Sequence, residues 1–201
     1  MMPTGAEIQQ YFTGVWQMMM GRADGLKLLD LSADGFWNSF FAIVVALPPL
    51  IVGWVAFTNS IPEAELFTTG ARFGLVCRLF LTDIGSWVLP LAFLAAFAKP
   101  VGISDRFVHY VVASNWASAL FAWVMLVPGF LRLFVPDAGE LANGISLILF
   151  LATLALSWRL TVVALGKGAA IGTAVFFGML VASITTLFAL QSLLQLDIPG
   201  G

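Results

Sequence analysis

Residues 36–58 read FWNSFFAIVVALPPLIVGWVAFT, 23 positions without one charged side chain. At about 1.5 Å of rise per residue a helix of that length reaches roughly 34 Å, enough to cross a hydrocarbon core about 30 Å thick. A soluble domain has no use for such a run, so the segment is read as a membrane-spanning helix. The whole chain agrees with it. Of its 201 residues 60% are hydrophobic and 10% charged, against about 45–50% apolar and about 25% charged in soluble domains.

Working outward, four further runs have the same character: about 71–98, 105–127, 139–163 and 168–193. The second closes on Lys99 and Pro100, and Ser104 or Asp105 is expected to cap the third, which should stop before Pro128 and Gly129. Ahead of the first span, Thr4 and Glu7 have the spacing of a capping box, followed by Ile8, Tyr11, Phe12, Val15, Trp16 and Met19 at helical steps. That helix is too short and polar to span, and is expected to lie in the interface or to pack under the bundle. Gly21 should end it, and Ser32 should cap the first span. The expected fold is therefore all-α: residues 1–35 form an amphipathic interfacial helix and connector, and residues 36–201 form one five-span transmembrane bundle.

Lysine and arginine in short loops set orientation. Arg22, Lys27, Lys99, Arg106, Arg159 and Lys167 fall on the N-terminal side, and Arg72, Arg78 and Arg132 on the other. This bias predicts a multi-pass protein of a bacterial inner membrane with a cytoplasmic N-terminus and an outside C-terminus. Glu63, Glu65, Asp137, Glu140 and Asp197 then lie outside, and Trp37 and Trp158 sit near the inner interface. The opening MMPTGAEIQQYF lacks the basic start of a cleaved signal peptide.

Within the second span, CRLFLTDIGSWVLP at 77–90 carries Asp83. An aspartate at a helix centre costs about 2.5–3.5 kcal/mol on insertion scales, whereas the ten Leu, Ile, Phe and Val residues of 79–98 contribute on the order of −4 kcal/mol. The acid is thus affordable without a function. Its neighbourhood is more informative. Thr82 and Ser86 flank it, and Pro90 removes the amide that would bond the Ser86 carbonyl. Pro48 and Pro49 likewise free the Val44 and Val45 carbonyls of the first span, and the third offers Asn115 at similar depth. Broken helices with midplane polar groups are how transporters build sites; equally, such groups hydrogen-bond between helices while prolines only kink them. Asp83, Thr82, Ser86 and Asn115 form the candidate site on the first reading and helix ties on the second.

Other chemistries find little support. Arg78 lies about 140° around the helix from Asp83, so Arg72 and Arg78 are expected at headgroups or near Glu63 and Glu65. His109 should sit at a different depth from Asp83, nearer an interface. One cysteine, Cys77, and one histidine do not make a zinc site or a disulfide, and a Ser–His–Asp triad has no credible members. GKG at 166–168 lacks P-loop spacing. A net charge of −2 without a basic cluster leaves no footprint for nucleic acid. No catalytic residue, metal or cofactor is expected.

In the fifth span Ala170, Ala174, Gly178 and Ala182 recur every four residues beside Gly168 and Gly172, a pattern that lets helices approach closely, within one bundle or between two proteins. Partners are thus the bilayer and, through this span, another membrane protein or a second copy. The layout of an amphipathic segment and five close spans, with LALSWRLTVVALGKGAAIGTA joining the last two, resembles the Yip1-type five-helix membrane proteins, in detail at Trp158, Gly166 and Gly168. That family is associated with membrane trafficking and organisation. The resemblance implies a non-enzymatic organising, assembly or accessory subunit; the alternative from the residues is a small transporter or channel component built around Asp83.

Overall fold

A computed structural model of the chain describes residues 2–61 and 68–196. Its helices are α1 (Gly5–Met19), α2 (Ala33–Ser39), α3 (Phe41–Ser60), α4 (Thr69–Phe97), α5 (Phe107–Phe134), α6 (Gly139–Leu165) and α7 (Ala169–Leu193), with short 3-10 segments at Ala23–Leu28 and Ser104–Arg106. Among the described residues five stretches are long and apolar enough to cross a membrane: Ala33–Asn59, Thr69–Phe97, Ser104–Phe134, Gly139–Leu165 and Ala169–Leu193. The protein is an all-α, multi-pass integral membrane protein. Glu63, Glu65 and Asp197 lie outside the described residues.

The helix ends follow local chemistry. Thr4 and Glu7 close the capping box: the Thr4 hydroxyl accepts from the Glu7 N–H at 3.3 Å, and the Glu7 carboxylate accepts from the Thr4 N–H at 2.7 Å. The Thr4 backbone bond, then its hydroxyl, hold the Glu7 carboxyl below its ordinary range. Ser32 caps α2 by accepting from the Gly35 N–H. Gly166, at φ +59°, ends α6 in the left-handed conformation that a Cβ disfavours.

Two expectations fail at α5. Neither Ser104 nor Asp105 caps it: both lie in the 3-10 turn, and the N-cap position is Arg106, without a side-chain bond. Asp105 is instead paired with Lys167 at 2.7 Å, joining the start of α5 to the α6–α7 loop. Nor does the helix stop at Pro128, but runs on to Phe134 with Pro128 and Gly129 buried. A membrane helix keeps its course through a proline when neighbours pack around it, and Gly129 leaves room there for the Val52 side chain of α3. Beyond it, the Arg132 guanidinium donates to Asn143 Oδ1 at 2.8 Å and Ser146 Oγ at 3.2 Å, tying α5 to α6.

The spans form a ring. Each packs against two others, in the cyclic order α3, α5, α6, α7, α4 and back to α3, the last junction being the sparsest. The amphipathic helix does not float in the interface, for α1 packs against α5 and α6. Val15, Met18 and Met19 are fully buried, and the Tyr11 ring sits 4.8 Å from that of Trp116. Its apolar face covers protein, which is why Trp16, off that face, is exposed. The Ala23–Leu28 turn folds back over α1 at Gly14 and Gly25, so close that a Cβ on Gly25 would overlap the Gly14 carbonyl.

The small-residue pattern of α7 divides in two. Gly172 is buried against α6, where an added Cβ would lie 2.8 Å from Val162 Cα. Ala170, Ala174 and Gly178 are exposed, with nothing near Gly178. Gly172→Ala is therefore expected to destabilise the bundle by about 1–3 kcal/mol through overpacking, whereas Gly178→Ala is neutral or slightly stabilising through helix propensity. Thermal unfolding of the two variants in one detergent reads the difference.

Candidate functional site

Four of the seven tryptophans act as cross-helix donors, which begins with what an indole is: a large apolar plate with a single N–H that needs a partner when buried. Trp54 of α3 donates to Asp83 Oδ2 of α4 at 2.6 Å. Trp87 of α4 donates to Asn115 Oδ1 of α5 at 2.9 Å. Trp123 of α5 donates at 3.0 Å to the Val45 carbonyl of α3, the acceptor that Pro49 deprives of its helical amide. Trp158 of α6 donates to Thr173 of α7 at 2.9 Å.

Inside the ring lies a cavity of about 520 Å³, within the range of pockets that hold small molecules. Asp83, midway along α4, lines it together with Ser86, Trp87 and Pro90. The facing helices contribute hydroxyls in stripes. Tyr110, Ser114 and Ser118 follow one another at four-residue steps on α5, as do Thr153, Ser157 and Thr161 on α6, and α7 adds Ser183. Leu50 of α3, Phe121 of α5 and Phe176 and Met179 of α7 supply apolar wall between them. Residues four apart share a helix face, so each stripe looks into the chamber along its length.

Several hydroxyls are already committed. Ser114 donates to the Val111 carbonyl, Thr153 to Phe150 and Thr161 to Ser157. Tyr110 and Thr161 share a hydrogen bond. The Ser86 hydroxyl, by contrast, is buried without a partner among the described residues, and so is that of Thr82.

The proposed constellation of Asp83, Thr82, Ser86 and Asn115 is thus brought together only in part. Asp83 and Ser86 line the chamber, with Pro90 beside them. Thr82 is buried outside it. Asn115 is fully buried and is a tie, accepting from Trp87 and donating from Nδ2 to Ser39 Oγ at 2.9 Å. Pro48 and Pro49 stand away from the chamber, and the Val45 carbonyl is taken by Trp123. His109, in the first turn of α5, does not line the chamber, and its Nδ1 is buried without a partner among the described residues. The hydroxyl stripes were missed, although Ser114/Ser118 and Thr153/Ser157/Thr161 stand in the sequence at one-turn spacing in adjacent spans.

Comparison of the chain with protein-family models, with curated proteins and with solved structures gave no match.

Asn115 joins three segments, so Asn115→Ala leaves the Trp87 N–H without its acceptor and Ser39 without its donor in dry surroundings. A loss of about 1–3 kcal/mol is expected. A Trp87→Phe/Asn115→Ala cycle should show coupling of roughly 0.5–2 kcal/mol, measured by unfolding in mixed micelles.

Proposed function

We propose that the protein is a small solute carrier or channel component of a bacterial inner membrane, N-terminus cytoplasmic, whose binding site is the chamber at Asp83. One observation carries this reading: a carboxyl group and stripes of hydroxyls from adjacent helices converge on one cavity in the middle of a membrane bundle. Ser114, Thr153 and Thr161 satisfy their hydroxyl protons within their own helices, but among the described residues the Ser86 hydroxyl has no partner beside unfilled space, an arrangement that forfeits packing in a scaffold and suits a polar solute. The reading also accounts for Pro90, which leaves a backbone carbonyl without its helical donor beside the acid although α4 runs unbroken through it. No group in the chamber has the partners of a catalytic nucleophile, so binding and passage, not reaction, are proposed.

A second reading follows from the exposed stripe of Ala170, Ala174 and Gly178, which suits a helix from another membrane protein or a second copy and would make the chain an accessory or organising subunit. The two are compatible, since the stripe faces outward and the chamber inward.

Access to the chamber tests the first reading. In a Cys77→Ser background, Ser118→Cys and Thr153→Cys should react with a small, charged, membrane-impermeant thiol reagent, and Leu147→Cys on the exposed apolar surface should not. Failure of both chamber cysteines to react from either side would sink the proposal. For the second reading, Gly178→Leu should dissociate any oligomer seen by light scattering in mild detergent while the fold persists; an unchanged mass counts against it.

A further inference from the structure

The chamber's polar groups differ in what they offer. Among the described residues Asp83 is the only acid in the lining, which has no lysine, arginine or histidine. Trp54 occupies Oδ2, and among the described residues no hydrogen bond reaches the other carboxyl oxygen. One helical turn away stand the unpartnered Ser86 hydroxyl and the Ser86 carbonyl that Pro90 leaves without its helical amide. Across the chamber, Ser114 and Thr153 have given their protons to carbonyls of their own helices, so they present lone pairs only. The site is rich in acceptors and holds one carboxyl group, and it suits a ligand that donates and is positive.

Size and wall chemistry narrow the class. A bare metal ion would need about six oxygen ligands at roughly 2.0–2.6 Å. The described residues hold no cluster of three or more His, Cys, Asp or Glu side chains, and the space of about 520 Å³ is far larger than an ion. The remaining wall is apolar and aromatic, with Leu50, Phe121, Phe176 and Met179. Aromatic faces accept a cation as well as an apolar body.

Building on the solute-site reading, we propose that the chamber is selective for a small organic monocation, a primary ammonium on an apolar body. The ammonium donates its three protons to the free Asp83 oxygen, the Ser86 hydroxyl and the Ser86 carbonyl. The body lies against Leu50, Phe121, Phe176 and Met179. Trp54 holds the other carboxyl oxygen in place and leaves the docking oxygen turned to the ligand.

Three probes of one shape separate charge from shape: 2-phenylethylammonium, neutral 2-phenylethanol and anionic 3-phenylpropanoate, titrated calorimetrically into the full-length protein in lipid nanodiscs. The ammonium is expected to bind at least about tenfold tighter than either comparator. Asp83→Asn, which keeps an oxygen for Trp54, should abolish that preference and bring the affinities of the ammonium and the alcohol together. Ser86→Ala should weaken the ammonium by about threefold to tenfold and supplies the test if Asp83→Asn fails to fold. Equal binding of amine and alcohol, or a preference that survives both substitutions, overturns cation selectivity while leaving a solute chamber. Binding of none of the three also overturns it, and the thiol-labelling result then decides separately whether the chamber is open to solutes at all.

Discussion

Three indole N–H groups close a loop through three helices: α3 to α4 at Trp54 and Asp83, α4 to α5 at Trp87 and Asn115, α5 back to α3 at Trp123 and Val45. In hydrocarbon, apolar helices have no solvent reason to prefer one another, so direction and register come from close packing and from hydrogen bonds that lipid does not replace. Each indole supplies both, a broad plate and one donor whose partner lies on another helix. The loop matters most where packing is thin. Helices α3 and α4 meet along the sparsest junction of the ring, and α4 and α5 face each other across it. Here directional bonds hold together what surface burial leaves loose, and the interior is left unfilled.

A second device is found elsewhere in the bundle. At Gly172 against Val162, and at Gly14 against Gly25, missing side chains let backbones approach until a methyl group would not fit. These dense contacts anchor α6 to α7 and the N-terminal helix to its own connector. A structure with close contacts at the periphery and long, directional ties around its centre keeps an interior space without collapsing, because each end of every tie is fixed by packing elsewhere.

How much of this could be read from the chain depended on the range of the information. The spans were legible because bilayer thickness imposes a length on each apolar run, and helix starts at Thr4 and Ser32 because capping is decided within four residues. Asp83 was legible because an acid in oil is conspicuous. What lay beyond reach was pairing. Nothing in the residues around Trp54, Trp87 and Trp123 tells which helix takes their N–H groups. Asn115 was open to two readings, a midplane site or a tie between helices, and it serves Trp87 and Ser39 in a dry core. At α5 a local rule was overruled by tertiary packing, since Pro128 and Gly129 are a stop signal in water but not between helices already held on several sides. The α5 and α6 hydroxyl stripes were within reach, for their one-turn spacing is a local pattern, but the face they share is meaningful only once the order of helices around the ring is known.

The bond from Trp123 to the Val45 carbonyl has a consequence for how such a protein can change over generations. A proline at position 49 strips that oxygen of its helical amide, and an indole 78 residues beyond Val45 supplies the replacement. Neither residue is self-sufficient: losing the indole orphans a carbonyl, while losing the proline restores an amide to it and makes the indole's donor redundant. The pair is therefore expected to be inherited as a unit, with the order of substitution constrained. A lineage that first replaces the proline is free to lose the tryptophan afterwards; the reverse order passes through an intermediate with an unmet acceptor in the membrane.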